Sequence, residues 1–69
     1  MRTNEMIIAI ENIIEANDLY LQVISDEVAN TYRDGDFEEF KFWVNMECEV
    51  RNYNQLMRDS IQKIKAKLN

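Results

Sequence analysis

Apolar residues recur along this chain with the three-and-four spacing of helices. At 100° per residue, Met6, Ile7, Ile10, Ile13, Ile14, Asn17, Tyr20, Leu21, Ile24, Val28, Thr31 and Tyr32 fall within about 140° of arc. Phe42, Trp43, Met46, Val50, Tyr53, Met57, Ile61, Ile64 and Leu68 form a second stripe of the same kind. Between the two stands Asp34-Gly35-Asp36, the one strong break in a chain with a single Gly and no Pro. Gly accepts a positive φ and Asp bonds its own backbone, so this tripeptide predicts a helix stop and a tight turn. Asp36 is a candidate N-cap, with Glu39 spaced to complete a capping box. Thr3 or Asn4 suits the N-cap of the first helix, and Lys63, Lys65 and Lys67 suit the C-terminal dipole of the second. The prediction is all-α: a single domain over 1–69, with helices at about 4–33 and 37–68, folded at 34–36 into an antiparallel hairpin.

Two features compete with that pattern. Phe40, Phe42, Val44, Met46, Cys48 and Val50 alternate with mostly polar neighbours, which is the period of a strand. Leu19–Ile24 has strand-like composition too, so an α-β-β-α order is the alternative. The helical stripe runs on to Leu68 while the alternation stops at Asn52, and helix is the stronger reading. A softer break near Asn17-Asp18 or Ser25-Asp26 would split the first helix and give three.

Charge placement tests the hairpin. With the turn near position 35, Glu11 is expected across from Arg58, Asp18 across from Arg51, and Glu5 near Lys63 and Lys65. Each exposed pair contributes only about 0–1 kcal/mol, so such pairs select register more than stability. Asn17 interrupts the isoleucines and reads as a register-setting polar residue, bonded to Tyr53 or Tyr20. Trp43 and Tyr53 read as core residues rather than ligand-stacking groups.

Helices of about 30 residues are about 45 Å long, and two of them enclose little core. A hairpin of this size is expected to be marginal alone. Phe37, Phe40, Val44 and Cys48 follow helical spacing on the side of the second helix away from its main stripe. Leu19 and Val23, with Ala16, lie off the stripe of the first. Such a patch is an unusual exposure on a soluble monomer. Pairing into a homodimeric four-helix bundle would cover it. A third helical segment of the same chain, or direct docking on another protein, would also do so.

Composition narrows the chemistry. The chain has 46% hydrophobic residues, enough to argue against disorder. It has no His and one Cys, which excludes a Ser-His or Cys-His nucleophilic pair and an intrachain disulfide, and leaves conventional zinc, haem and thiolate sites without ligands. Cys48, flanked by Glu47 and Glu49, is disfavoured as a thiolate and reads as a small buried or interfacial residue. Glu11 with Glu15, or Asp36 with Glu38 and Glu39, could hold a divalent ion, but no EF-hand loop, Glu-x-x-His pair or Gly-rich phosphate loop supports this. No enzyme, cofactor or metal is expected. The longest apolar run, Met6–Ile10, is too short to span a membrane, and residues 1–5 lack a signal-peptide design, so a cytoplasmic protein is expected.

The charge is unevenly spread. Thirteen acidic and eight basic residues give −5 overall, yet residues 1–49 carry twelve acids and three bases while 50–69 carry one acid and five bases. Acids gather at the turn: Asp26, Glu27, Asp34, Asp36, Glu38 and Glu39. Beside Phe37, Phe40 and Val44 they suggest an apolar anchor with an acidic rim, suited to a basic partner protein. Eight Ile and eight Asn with few Gly and Ala point to an AT-rich genome, and thereby to a phage-type inhibitor of a host nucleic-acid enzyme. The contrasting reading is a nucleic-acid surface formed by Arg51, Arg58 and Lys65, which recur every seven residues. The overall acidity argues against it. A structural or chaperone-like assembly role would use the same residues as the partner-binding reading.

Overall fold

The computed structural model describes residues 2–68, which form two helices. α1 runs Arg2–Asp34 and α2 runs Phe37–Leu68, side by side and antiparallel. The rod measures 51 × 15 × 11 Å between Cα atoms, with a radius of gyration of 15.8 Å. A compact globule of this length would have a radius of gyration of about 11 Å. Each helix is covered by the other along one side only.

α1 is continuous, as the single-helix reading expected, and the alternative of a break at Asn17-Asp18 or Ser25-Asp26 does not occur. At the first, the reason is visible: Asn17 and Asp18 spend their side-chain hydrogen bonds on α2 rather than on their own backbone. The strand alternative over Phe40–Val50 fails as well, because α2 is helical throughout that segment. Its alternating residues fall on different sides of the helix: Phe40 and Val44 are half-buried while Phe42 is exposed. α1 begins at Arg2, which puts Thr3 and Asn4 inside its first turn rather than at an N-cap.

The turn is a Schellman motif. Gly35 N–H donates to the Tyr32 carbonyl at 3.3 Å and Asp36 N–H to the Thr31 carbonyl at 3.1 Å, with Gly35 at φ +73°. The Asp36 carboxylate then caps α2 by accepting the Glu39 N–H at 3.2 Å. Only this half of the capping box forms. Asp36 N–H is already given to Thr31, and the Glu39 carboxylate accepts the Trp43 indole N–H at 3.1 Å instead.

The seam follows heptads. On α1 it is Ile7, Ile10, Ile14, Asn17, Leu21, Ile24, Val28 and Thr31, and on α2 Phe40, Trp43, Glu47, Val50, Asn54, Met57, Ile61 and Ile64. All sixteen are buried or half-buried, but Ile7, Ile24 and Ile61 are the only buried apolar residues among them, and of these Ile24 alone is fully enclosed. On α2 the seam is rotated away from the expected stripe. It takes in Phe40, Glu47 and Asn54, which that stripe left out, and leaves Phe42 and Tyr53 exposed.

Candidate functional site

Midway along the rod the seam is polar. Asn54, 1% exposed, accepts a hydrogen bond from the Asn17 amide at 2.9 Å and donates one to the Asp18 carboxylate at 3.1 Å. Asn17 thus bonds Asn54, not Tyr53 or Tyr20. The network fixes the level of α1 against α2, because sliding either helix by one turn would leave buried amide groups without partners. Thr31, the other buried polar residue, turns its hydroxyl back onto the Glu27 and Val28 carbonyls at 2.8 and 3.2 Å. Among the described residues no buried side-chain nitrogen or oxygen is left without a partner.

The two sides of the seam differ. On one, Glu11, Glu15 and Asp18 of α1 face Arg58, Gln62 and Lys65 of α2 across an open groove of about 410 Å³ floored by Ile14 and Ile61. A guanidinium nitrogen of Arg58 lies 3.8 Å from the Asp18 carboxylate, and Arg51 pairs within its own helix with Glu47, also at 3.8 Å. These replace the expected Glu11–Arg58 and Asp18–Arg51 pairs, and Glu5 is not paired with Lys63 or Lys65. The reason is geometric. Helical side chains lean toward their own N-terminus, so in an antiparallel pair they meet partners higher in number than their backbone level implies.

On the other side the groove is apolar. Met6, Ile13 and Tyr20 of α1 flank the seam, with Ala9, Ala16 and Val23 one step further round. Together they continue the three-and-four spacing as a second line from Met6 to Val23. Met46 and Tyr53 flank the seam on α2, with Phe42 and Leu56 beyond them. Met6, Ile13, Tyr20, Val23, Phe42, Tyr53 and Leu56 are all between 42% and 62% exposed. A groove of about 250 Å³ lined by Asn17, Tyr20, Glu49, Val50 and Tyr53 marks where the two helices meet on this side.

The expected anchor patch does not assemble. Phe40 is half-buried in the seam, where it packs on Tyr32 with ring centroids 5.7 Å apart, and Val44 is half-buried on the line that Arg51, Arg58 and Lys65 continue. Phe37 stands in solvent at the turn, 70% exposed. Cys48 is exposed on the charged side, whereas Val23 lies on the apolar side and Leu19 on the outer face of α1. Seven-residue spacing does align Arg51, Arg58 and Lys65 along the charged side. Asp34, Asp36, Glu38 and Glu39 are exposed together at the turn, where Asp36 and Glu39 already serve as cap and indole acceptor. Sequence reasoning missed Asn54 and the separation of seam from apolar flank. The available signal was the width of the stripes, about 140°, which exceeds what a two-helix seam alone requires.

Among the described residues no group of three or more Cys, Asp or Glu side chains is arranged to hold a metal ion, and no helix is long and apolar enough to cross a membrane. No family model matches the chain, and no match to it was found among curated proteins or solved structures.

Proposed function

We propose that this chain is a non-enzymatic protein-binding module that docks its apolar flank on another helical surface and so completes a four-helix bundle, a homodimer being the smallest such assembly. The observation that carries the reading is the exposed line of Met6, Ile13, Tyr20 and Val23 facing Phe42, Tyr53 and Leu56. A two-helix rod with three buried apolar side chains gains stability from a further packed layer. Its acidic turn, with Asp34, Asp36, Glu38 and Glu39, remains available in that assembly to speed encounter with a basic protein and to favour it over acidic ones. The role is then occupancy: a regulator or inhibitor that covers a basic surface of its partner, as a phage-type inhibitor of a nucleic-acid enzyme would. A cytoplasmic setting goes with this reading, and there the exposed Cys48 would stay a thiol. The nucleic-acid reading ranks behind it, since Arg51 and Arg58 each lie beside a carboxylate.

Photo-crosslinking in producing cells tests the docking reading. A crosslinker at position 13 or 56 is expected to give a protein adduct of discrete mass, and one at position 15 or 62 on the charged flank none. Absence of adducts from 13 and 56, or equal yields from both flanks, defeats it.

A further inference from the structure

We infer that the apolar flank is covered by a second copy of this chain, stacked end for end so that the two turns lie at opposite ends of the bundle. The inference rests on the docking reading above and names its partner.

Area is the first support. The hairpin exposes 5509 Å², whereas a compact monomer of 8.3 kDa exposes about 4,600 Å². The excess, about 900 Å², matches the roughly 800 Å² that each partner contributes to a standard protein interface. One further layer of the same size as this hairpin is therefore the complement it lacks.

Charge is the second support, and it sets the orientation. The flank is apolar in the middle and charged with opposite signs at its ends: Glu27 and Glu39 near the turn, Lys63 and Lys67 near the open end. Its centre falls at the level of Asn17 and Asn54. A twofold axis there, running across the rod, lays α1 on α1 and α2 on α2, each pair antiparallel. The acidic end of each copy then covers the basic end of the other. The lean of helical side chains that joins Asp18 to Arg58 within the hairpin applies between copies too. It sets Glu49, the one charge in the apolar stretch of α2, against the second copy's Lys63. Stacking with both turns at one end would instead bring the acidic ends together. The match is self-complementary, as an isologous dimer requires.

Solution mass over a wide dilution series is the test, with circular dichroism to follow helix. The unaltered chain is expected at twice its 8.3 kDa mass, and Ile13→Asp and Leu56→Asp, at positions exposed in the hairpin, at the mass of one chain. Gln62→Asp on the charged flank leaves the dimer intact. Glu49→Lys and Lys63→Glu each weaken the dimer by about tenfold or more through like-charge contacts. Mixing these two variants restores it, since each then meets its opposite; that recovery excludes misfolding as the cause of the loss. A chain that stays monomeric overturns the inference, and crosslinks from positions 13 and 56 carrying a foreign mass would then preserve the docking reading. A dimer indifferent to Ile13→Asp and Leu56→Asp overturns it too, and failure of the mixture to recover overturns the end-for-end orientation.

Discussion

Met6, Ile13, Tyr20 and Tyr53 face solvent on one side of the seam, while Glu11, Asp18, Arg58 and Lys65 do so on the other. Both sides belong to the same two helices and share the same seam residues. The charged side needs no further cover: its carboxylates and guanidinium groups are exposed, where water can solvate them, and the pair formed by Asp18 and Arg58 sits half-exposed at 3.8 Å. The apolar side has no such resolution, because hydrocarbon in water gains only by burial. An amphipathic helix is usually thought of as having one inner and one outer face. Here each helix carries three sectors: a seam, a hydrated flank, and a flank that is apolar without being inside.

The strongest way to erase the difference is to remove the seam beneath both sides. Ile24, 0% exposed, touches both helices at the core, and Ile24→Ala is expected to cost about 2–5 kcal/mol, melting the rod as a unit in a thermal scan. An unchanged melting curve would mean that the seam lies elsewhere. Asn54→Ala comes next. It strips the Asn17 amide and the Asp18 carboxylate of a partner and is expected to cost about 1–3 kcal/mol by denaturant titration. Replacing Asn17 and Asn54 together by Leu should recover most of that loss, at the expense of a unique register.

Smaller changes sharpen the contrast. Gly35→Ala meets nothing within 4 Å, so its cost is the positive φ alone, about 1–2 kcal/mol read from the same titration. Tyr53→Ser on the apolar flank is expected to leave the melting temperature of a dilute sample within about 3 °C and to lower that of a concentrated one, because its effect lies in what covers the flank. Arg58→Ala on the charged flank is the mildest, about 0–1 kcal/mol at low salt and near zero at 1 M salt, at any protein concentration. A concentration-dependent Arg58→Ala effect would reverse the assignment of the two flanks.

Much of the architecture is legible in the residue pattern. Apolar spacing locates both helices, and Asp34-Gly35-Asp36 locates the turn, because helix stop signals act through local backbone geometry that a few residues control. The line of Arg51, Arg58 and Lys65 was legible for the same reason, since residues seven apart share a side whatever surrounds them. The candidate patch of Phe37, Phe40, Val44, Cys48, Leu19 and Val23 was not. Its assembly depended on how far α2 is rotated about its own axis. Phe40 turns into the seam there and Val44 falls on the charged side, so the exposed role passes to Phe42, Tyr53 and Leu56.

What the residue order determined by itself is therefore the set of local features: two long helices, a glycine turn between them, an acidic turn end, a basic open end, and stripes broader than one seam needs. Only the packing of α1 on α2 decided which line within each stripe is buried. A stripe of about 140° offers several adjacent lines of similar hydrophobicity, and hydrophobic burial is non-directional, so it scarcely distinguishes among them. Hydrogen bonding does distinguish them. Asn17 and Asn54 can both be buried only where each faces the other, with Asp18 in reach, and that long-range requirement sets the rotation and level of the helices and leaves the apolar flank outside.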